Sequence, residues 1–179
     1  MTNHSILYDT LAGLLAYPGS GYGKTLHFCR SAMSAMDVEA AARLNELSAR
    51  IDPLSTEQLQ ELYVQTFELN PVCSLEAGWH LFGENYDRGE FLVLMRQQLR
   101  RHGLTESAEL PDHLTHILPV IGRMEAREAA QFYESFLGKA LSKMMEGIQG
   151  KDNPFELLVG AIAGMLEHQH AGRLQEVSS

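Results

Sequence analysis

Apolar residues recur at the 3.6-residue period of an amphipathic helix along nearly the whole chain. Ile6, Leu7, Thr10, Leu11, Leu14 and Leu15 fall on one stripe, which "YPGSGYG" terminates. A second pattern, from about Tyr22 to Met36, puts Phe28, Cys29, Ala32, Met33 and Met36 on an inward face. Asp37 suits the N-cap of a third helix, where Ala40, Leu44, Leu47 and Ile51 keep the same helical spacing until Pro53 closes it. Ser55 stands three residues before Gln58, the capping-box spacing in which each side chain satisfies the other residue's backbone N–H. The helix that follows carries Leu59, Leu62, Tyr63 and Phe67 and stops near Asn70-Pro71.

Further along, Asp87 can cap a helix from Arg88 to about His102, with Glu90 at the capping-box position and Gly103 at its end. Another begins after Pro111 with Leu114, Ile117, Leu118 and Ile121 inward, and Pro119 should bend or shorten it. The longest pattern runs from Glu125 to Ile148 through Phe132, Phe136, Leu137, Ala140, Leu141, Met144 and Met145. Asn153-Pro154 caps the last helix, with Phe155, Leu158, Val159, Ile162 and Met165 inward, and 171–179 reads as a frayed tail. No stretch alternates apolar and polar residues long enough for a strand. The pattern therefore predicts an all-α single domain of about eight helices, with its core in about 5–168. Its long irregular connections fall at about 70–86 and 103–111.

Composition narrows the function classes. A chain of 179 residues can bury a sizeable core, and no run approaches the roughly 18 apolar residues of a membrane span. The N-terminus lacks the basic region of a signal peptide, so it reads as the first helix of a cytoplasmic protein with no membrane insertion. A net charge of -9 argues against nucleic acid, which needs clustered Lys and Arg. If the acids gather on one surface they favour a basic partner; otherwise they only keep the protein soluble. Cys29 and Cys73 are in no CxxC pair and read as ordinary buried thiols.

No catalytic constellation stands out. His113 and His116 form HxxH, His168 and His170 form HxH, and Glu76 and His80 are one helical turn apart, but each supplies two ligands where a metal site needs three or four. The last two histidines read as exposed cations at a helix C-terminus. There is no GxSxG, and "GSGYGK" lacks both the Walker spacing and a preceding strand, so it reads as a helix–helix turn. Glu84 and Asp87 are a pair of acids of the kind common on helix ends.

The segment "SLEAGWHLFGENYDRGEFL" offers a binding surface instead. Trp79, Phe82 and Tyr86 bring aromatic area beside Glu84, Asp87 and Arg88, and "LPDHL" adds Asp112 and His113 at a helix start. Aromatic walls with a few acids suit a peptide bearing apolar and basic residues. The structural alternative makes Trp79 and Phe82 core anchors and Asp87 and Asp112 caps.

These segments resemble the delta-subunit or NarJ branch of the TorD/DmsD/NarJ chaperones. The match consists of Tyr63, Thr66 and Phe67 of a YxxTF helix, Phe82, Gly83, Asp87, Arg88 and Gly89 of the DRG segment, and Glu109, Leu110, Pro111, Asp112, His113 and Leu114 of the ELPDHL helix start. The opening "LLAYP" is similar too, so the likeness covers about residues 5–168. Tyr63, Phe67, Gly83, Gly89 and Pro111 are its structural positions. Where the family often has Ser-Leu-Tyr-Leu-Phe-Glu-His before the glycine, this chain reads "SLEAGWHLFGENYDRG".

The resemblance implies a TorD-like helical bundle and a non-catalytic cytoplasmic chaperone. Its partner would be the apo catalytic subunit of a molybdoenzyme, a nitrate reductase or a relative, held by an N-terminal signal peptide or its remnant. The client receives molybdenum bis-(pyranopterin guanine dinucleotide); the chaperone binds no cofactor stably and is a monomer or a domain-swapped dimer. In this reading Trp79, Phe82 and Tyr86 take the peptide's apolar residues, Glu84, Asp87, Glu90 and Asp112 its basic ones. His113 hydrogen-bonds the peptide and titrates near neutral pH. Two other readings stay open: a general helical adaptor, or a metal-dependent enzyme using His80, His113 and His116.

Overall fold

The computed structural model describes residues 3–171. Among them lie ten α-helical segments and no strand: α1 (Asn3–Leu14), α2 (Tyr22–Met33), α3 (Val38–Ile51), α4 (Thr56–Tyr63), α5 (Ala77–Phe82), α6 (Tyr86–Arg101), α7 (Leu114–Ile121), α8 (Ala126–Phe132), α9 (Gly138–Ile148) and α10 (Phe155–His170). The helix periodicity of the sequence is thus realised as an all-α fold. The segment count exceeds the expected eight for two reasons. The 126–148 helix is divided by a π turn at Tyr133–Leu137, and the connection expected at 70–86 folds into a 3-10 turn at Pro71–Cys73 and into α5.

The local signals mostly act as read. Asp37 caps α3 by accepting from the Ala40 N–H at 2.9 Å. Ser55 and Gln58 form the reciprocal capping box, and Asn153 accepts from the Phe155 N–H at 2.9 Å at the start of α10. Gly103 takes the positive φ, 67°, that lets the chain turn after α6. Asp87 is a correction: α6 starts at Tyr86 after Asn85, two residues earlier than expected, so Asp87 lies inside its first turn. There it faces the positive end of the helix dipole without capping it. Cys29 and Cys73 are free and buried, and burial pushes the Cys29 thiol up to about 12.

Helix α10 packs against α3, α8 and α9; α1 lies on α2 and α7; α5 fits between α6 and α9. The buried side chains form a continuous cluster, with Tyr8, Leu44, Leu118, Phe155 and Met165 fully enclosed. Two expected core positions differ. Phe28 and Met36 are each 46 % exposed, because α1 and α3 cover only the Leu26, Cys29 and Met33 side of α2. His170, expected to be exposed, is buried beside the Tyr8 hydroxyl at 3.0 Å. The predicted tail beyond Ala171 lies outside the described residues.

Gly147 in α9 sets the position of the 71–73 turn. A Cβ there would run into the Val72 carbonyl oxygen, so the absence of a side chain is what lets this turn lie on α9.

Candidate functional site

The DRG segment and the LPDHL helix start, far apart in sequence, meet directly. Extended backbone at Glu76 and His113 forms an antiparallel bridge. It is flanked by Ala77 N–H donating to the Asp112 carbonyl and Leu114 N–H donating to the Leu75 carbonyl, each at 2.9 Å. Across it, Arg88 donates from Nε to Asp112 Oδ2 at 3.0 Å and from Nη2 to Glu76 Oε2 at 2.7 Å. Its guanidinium also sits 5.9 Å from the centre of the Trp79 ring.

Asp112 is wholly enclosed. Burial pushes its carboxyl above the usual carboxylate range, and the hydrogen bond and charge of Arg88 oppose that rise. For Arg88, burial works against the cation, but Asp112 and Glu76 outweigh it and hold the guanidinium charged. Gly78 is the packing condition for this pair. A Cβ there would stand 2.5 Å from Asp112 Oδ2 and 3.1 Å from the Phe91 ring. The helix-weakening glycine in this segment is therefore the space that the ion pair occupies.

In front of the pair opens a cleft of about 260 Å³, walled by Tyr63, Phe67 and Trp79 and edged by Glu68, Glu76, Glu109 and His113. A π turn at Val64–Glu68 forms one wall, a distortion that widens the helix and often marks functional sites. The Thr66 hydroxyl donates to the Leu62 carbonyl at 2.6 Å and accepts from Asn153 at 2.7 Å, tying this turn to the start of α10. Trp79 is oriented by its indole N–H, which donates to the Pro71 carbonyl at 3.0 Å. The Tyr63 hydroxyl donates to the Leu15 carbonyl at 2.9 Å. Burial raises its pKa, and the nearby charges of Glu109 and Glu68 add to the rise. Glu76 is engaged by Arg88, whereas Glu68 and Glu109 are exposed and have no ion-pair partner among the described residues. The cleft is thus an aromatic slot with two uncompensated carboxylates at its mouth.

His113 lies at the inner edge. Its Nδ1 accepts from the Thr115 N–H at 3.3 Å and is 2.7 Å from the Thr115 hydroxyl, which leaves the ring proton on Nε2. Burial, with His116 adding to it, pushes its pKa down to about 4. The expectation of titration near neutral pH is therefore overturned: the ring is neutral at pH 7 and offers one N–H donor. His116 is turned away, its Nδ1 at 2.9 Å from the Leu110 carbonyl and its Nε2 accepting from the Ser107 N–H at 3.0 Å. His80 bonds the Ser74 carbonyl at 2.7 Å. Among the described residues no group of three or more His, Cys, Asp or Glu is placed to hold a metal ion.

The single groove expected from the sequence is divided. Trp79 and His113 line the cleft, with Arg88 and Asp112 directly behind it. Phe82 turns inward onto Phe91, their ring centres 5.7 Å apart. Tyr86 is 79 % exposed and lines a different hollow on α6 with Gly89 and Glu90, while Glu84 and Asp87 are exposed and outside the cleft. Gly83 takes a positive φ of 61° to end α5, and Pro111 is buried beside Asp112. Sequence reasoning passed over Glu68 and undervalued Glu109, although each adjoins a recognised motif: Glu68 follows Phe67, and Glu109 opens ELPDHL.

No helix among the described residues is long and apolar enough to cross a membrane. These motifs meet at one cleft of an all-helical fold. The sequence pattern of the nitrate reductase delta subunit family matches residues 33–155, and the chain belongs to that family. The chain is also 29 % identical over 109 residues to the nitrate reductase molybdenum cofactor assembly chaperone NarJ of Escherichia coli strain K12, and equally to that of strain O157:H7. The matched stretch is 60 % of this chain and 44 % of each relative.

Proposed function

We propose that this protein is an assembly chaperone, not an enzyme, for a nitrate reductase or a related molybdoenzyme. It holds the apo catalytic subunit in the cytoplasm by that subunit's N-terminal region, a signal peptide or its remnant. The client then receives molybdenum bis-(pyranopterin guanine dinucleotide), while the chaperone keeps no cofactor. Family membership and the chaperone names of the relatives support the role. The observation that carries the mode of binding is the aromatic slot of Tyr63, Phe67 and Trp79 with the uncompensated Glu68 and Glu109 at its mouth.

Such a slot takes a peptide whose apolar side chains bury against the rings and whose basic side chains reach the carboxylates. The His113 Nε2–H supplies a donor for a peptide carbonyl, and Arg88, Asp112 and Gly78 keep Trp79 and the bridge in place. Asp87 and Glu84 add acidic groups outside the slot, and Tyr86 an exposed aromatic ring.

Two measurements test the reading. Affinity capture of the tagged protein from its own host, grown anaerobically, should recover a large molybdopterin-dependent catalytic subunit, mostly as apo-protein. Titration calorimetry with a synthetic peptide of that subunit's N-terminus should then give saturable binding that Trp79→Ala weakens more than Glu84→Ala does. The reverse order would sink the cleft as the peptide site, and recovery of no molybdoenzyme subunit would sink the chaperone role.

A further inference from the structure

Helix α6 buries Phe91, Met95 and Leu99, and its opposite face is open. Tyr86, Glu90, Val93, Gln97 and Arg100 run along that face at spacings of four, three, four and three residues, and all five are exposed. This is the spacing of the seam by which one helix packs along another. The seam also has a charge order. Glu90 lies in its first half, with Asp87 one turn before it, and Arg100 ends the second half. None of these three has an ion-pair partner among the described residues. Gly89 borders the seam, in a hollow of about 500 Å³ lined by residues of α6 alone. A helix interior ordinarily disfavours glycine. Here a Cβ would meet nothing and the backbone is not left-handed, so no contact within the chain calls for glycine.

We propose that this face pairs two copies of the chain, α6 against α6, antiparallel about a two-fold axis at Val93. A two-fold interface must be self-complementary, because the same patch serves on both sides. The seam meets that condition within one continuous helix: Tyr86 and Arg100 stand seven residues either side of Val93, and Glu90 and Gln97 three and four. Reversal sets Val93 against Val93 and Glu90 against the Gln97 amide of the second copy. Arg100 of that copy falls between Tyr86 and Glu90. Helical side chains lean toward the N-terminus of their own helix, so in reversed helices Arg100 and Glu90 lean toward each other. The same arginine stem lies along the Tyr86 ring. Gly89, one turn from the axis, leaves room for the second backbone to approach. Two chains of net charge -9 repel over most of their surfaces, whereas this face brings unpaired acids against unpaired cations. It lies outside the slot of Tyr63, Phe67 and Trp79 and does not depend on the chaperone reading.

Sedimentation velocity on the purified full chain, from about 1 to about 100 µM, tests the proposal. The expected result is a dimer whose dissociation constant rises at least about tenfold in Gly89→Leu. A side chain at this position has open space and leucine favours helix, so the variant should keep the wild-type circular dichroism and melt no lower. Loss of pairing is thereby separated from loss of fold. Arg100→Glu should weaken the dimer as well, and adding Glu90→Arg to it should restore pairing, because the charge order is then reversed on both copies. Val93→Cys provides the last arm. With both native cysteines buried, mild oxidation should link two copies at the axis. A wild type that stays monomeric across the range overturns the proposal and leaves the face to a different partner. So does a dimer that Gly89→Leu leaves intact, a charge reversal that restores nothing, or a Val93→Cys protein that does not cross-link.

Discussion

Arg88 on α6 reaches the fully enclosed carboxylate of Asp112 at 3.0 Å, and the same guanidinium holds Glu76 at 2.7 Å. The pair joins the two segments whose likeness to the delta-subunit family is most specific, so their separation in sequence is closed by an ion pair in space. A buried pair of this kind adds little net stability when intact, because desolvation offsets the attraction, but breaking one side strands a charge. Arg88→Ala should therefore cost about 3–5 kcal/mol of unfolding free energy. Arg88→Met combined with Asp112→Asn should cost less than Arg88→Met alone, since the stranded charge goes as well. Urea denaturation of the three variants measures this, and a cost below about 1 kcal/mol for Arg88→Ala would place the pair among surface salt bridges.

Gly78 gives a prediction whose sign runs against helix propensity. Alanine ordinarily stabilises a helix interior over glycine by about 0.5–1 kcal/mol. At this position the new methyl would meet Asp112 Oδ2 at 2.5 Å and the Phe91 ring at 3.1 Å. Overpacking of that kind costs about 1–3 kcal/mol, so Gly78→Ala should be net destabilising. A raised urea midpoint would show that the ion pair has room to move.

His113 ties stability to pH. Its pKa is depressed from 6.5 to about 4 in the folded protein. Above pH 6.5 the ring is neutral in both states and the native fold is fully favoured. As pH falls below 6.5 the unfolded chain takes up a proton that the folded chain refuses, and stability is lost progressively until about pH 4. The loss amounts to about 3 kcal/mol at most. His113→Asn keeps a side-chain acceptor at the α7 N-cap but cannot titrate in this range. Its stability should fall less than that of the wild type between pH 7 and pH 4.5. Parallel slopes for the two proteins would mean that other groups carry the acid sensitivity.

The sequence was most informative where structure is local. Caps at Asp37, Ser55 and Asn153 depend on residues two or three positions apart, and helical stripes need only the period of the chain. It was least informative where a side chain's environment is set by distant elements. Phe28 and Met36 read as one inward face with Cys29, Ala32 and Met33, yet which side of α2 is covered depends on how α1 and α3 pack, which periodicity does not encode. Asp87 read as the cap of α6, but the helix begins at Tyr86 after Asn85, whose side chain makes no capping hydrogen bond. Asp112 read as a surface acid beside a helix start, and its burial follows from the bridge to Glu76 and from the space left at Gly78. The carboxylates at the cleft mouth come from two separate segments, Glu68 from the π turn after Tyr63 and Glu109 from the connection before α7, and their meeting at one slot is not encoded locally.

Trp79, against Glu68 and Glu109, yields a kinetic prediction for the proposed peptide complex. Exposed carboxylates contribute only about 0–1 kcal/mol each to affinity and act mainly on the rate of encounter. A half-buried tryptophan at the centre of a contact can contribute about 2 kcal/mol or more, expressed as slower dissociation. Glu68→Gln with Glu109→Gln should therefore lower the association rate for a basic client peptide and flatten its dependence on salt, with the dissociation rate nearly unchanged. Trp79→Ala should do the opposite, raising the dissociation rate while the salt dependence of association stays as in the wild type. Stopped-flow or biosensor kinetics at two ionic strengths separates the two effects. If the double glutamine variant instead speeds dissociation and leaves the salt slope intact, the carboxylates are seated contacts within the complex, and the division of the cleft into aromatic anchor and charged mouth does not hold.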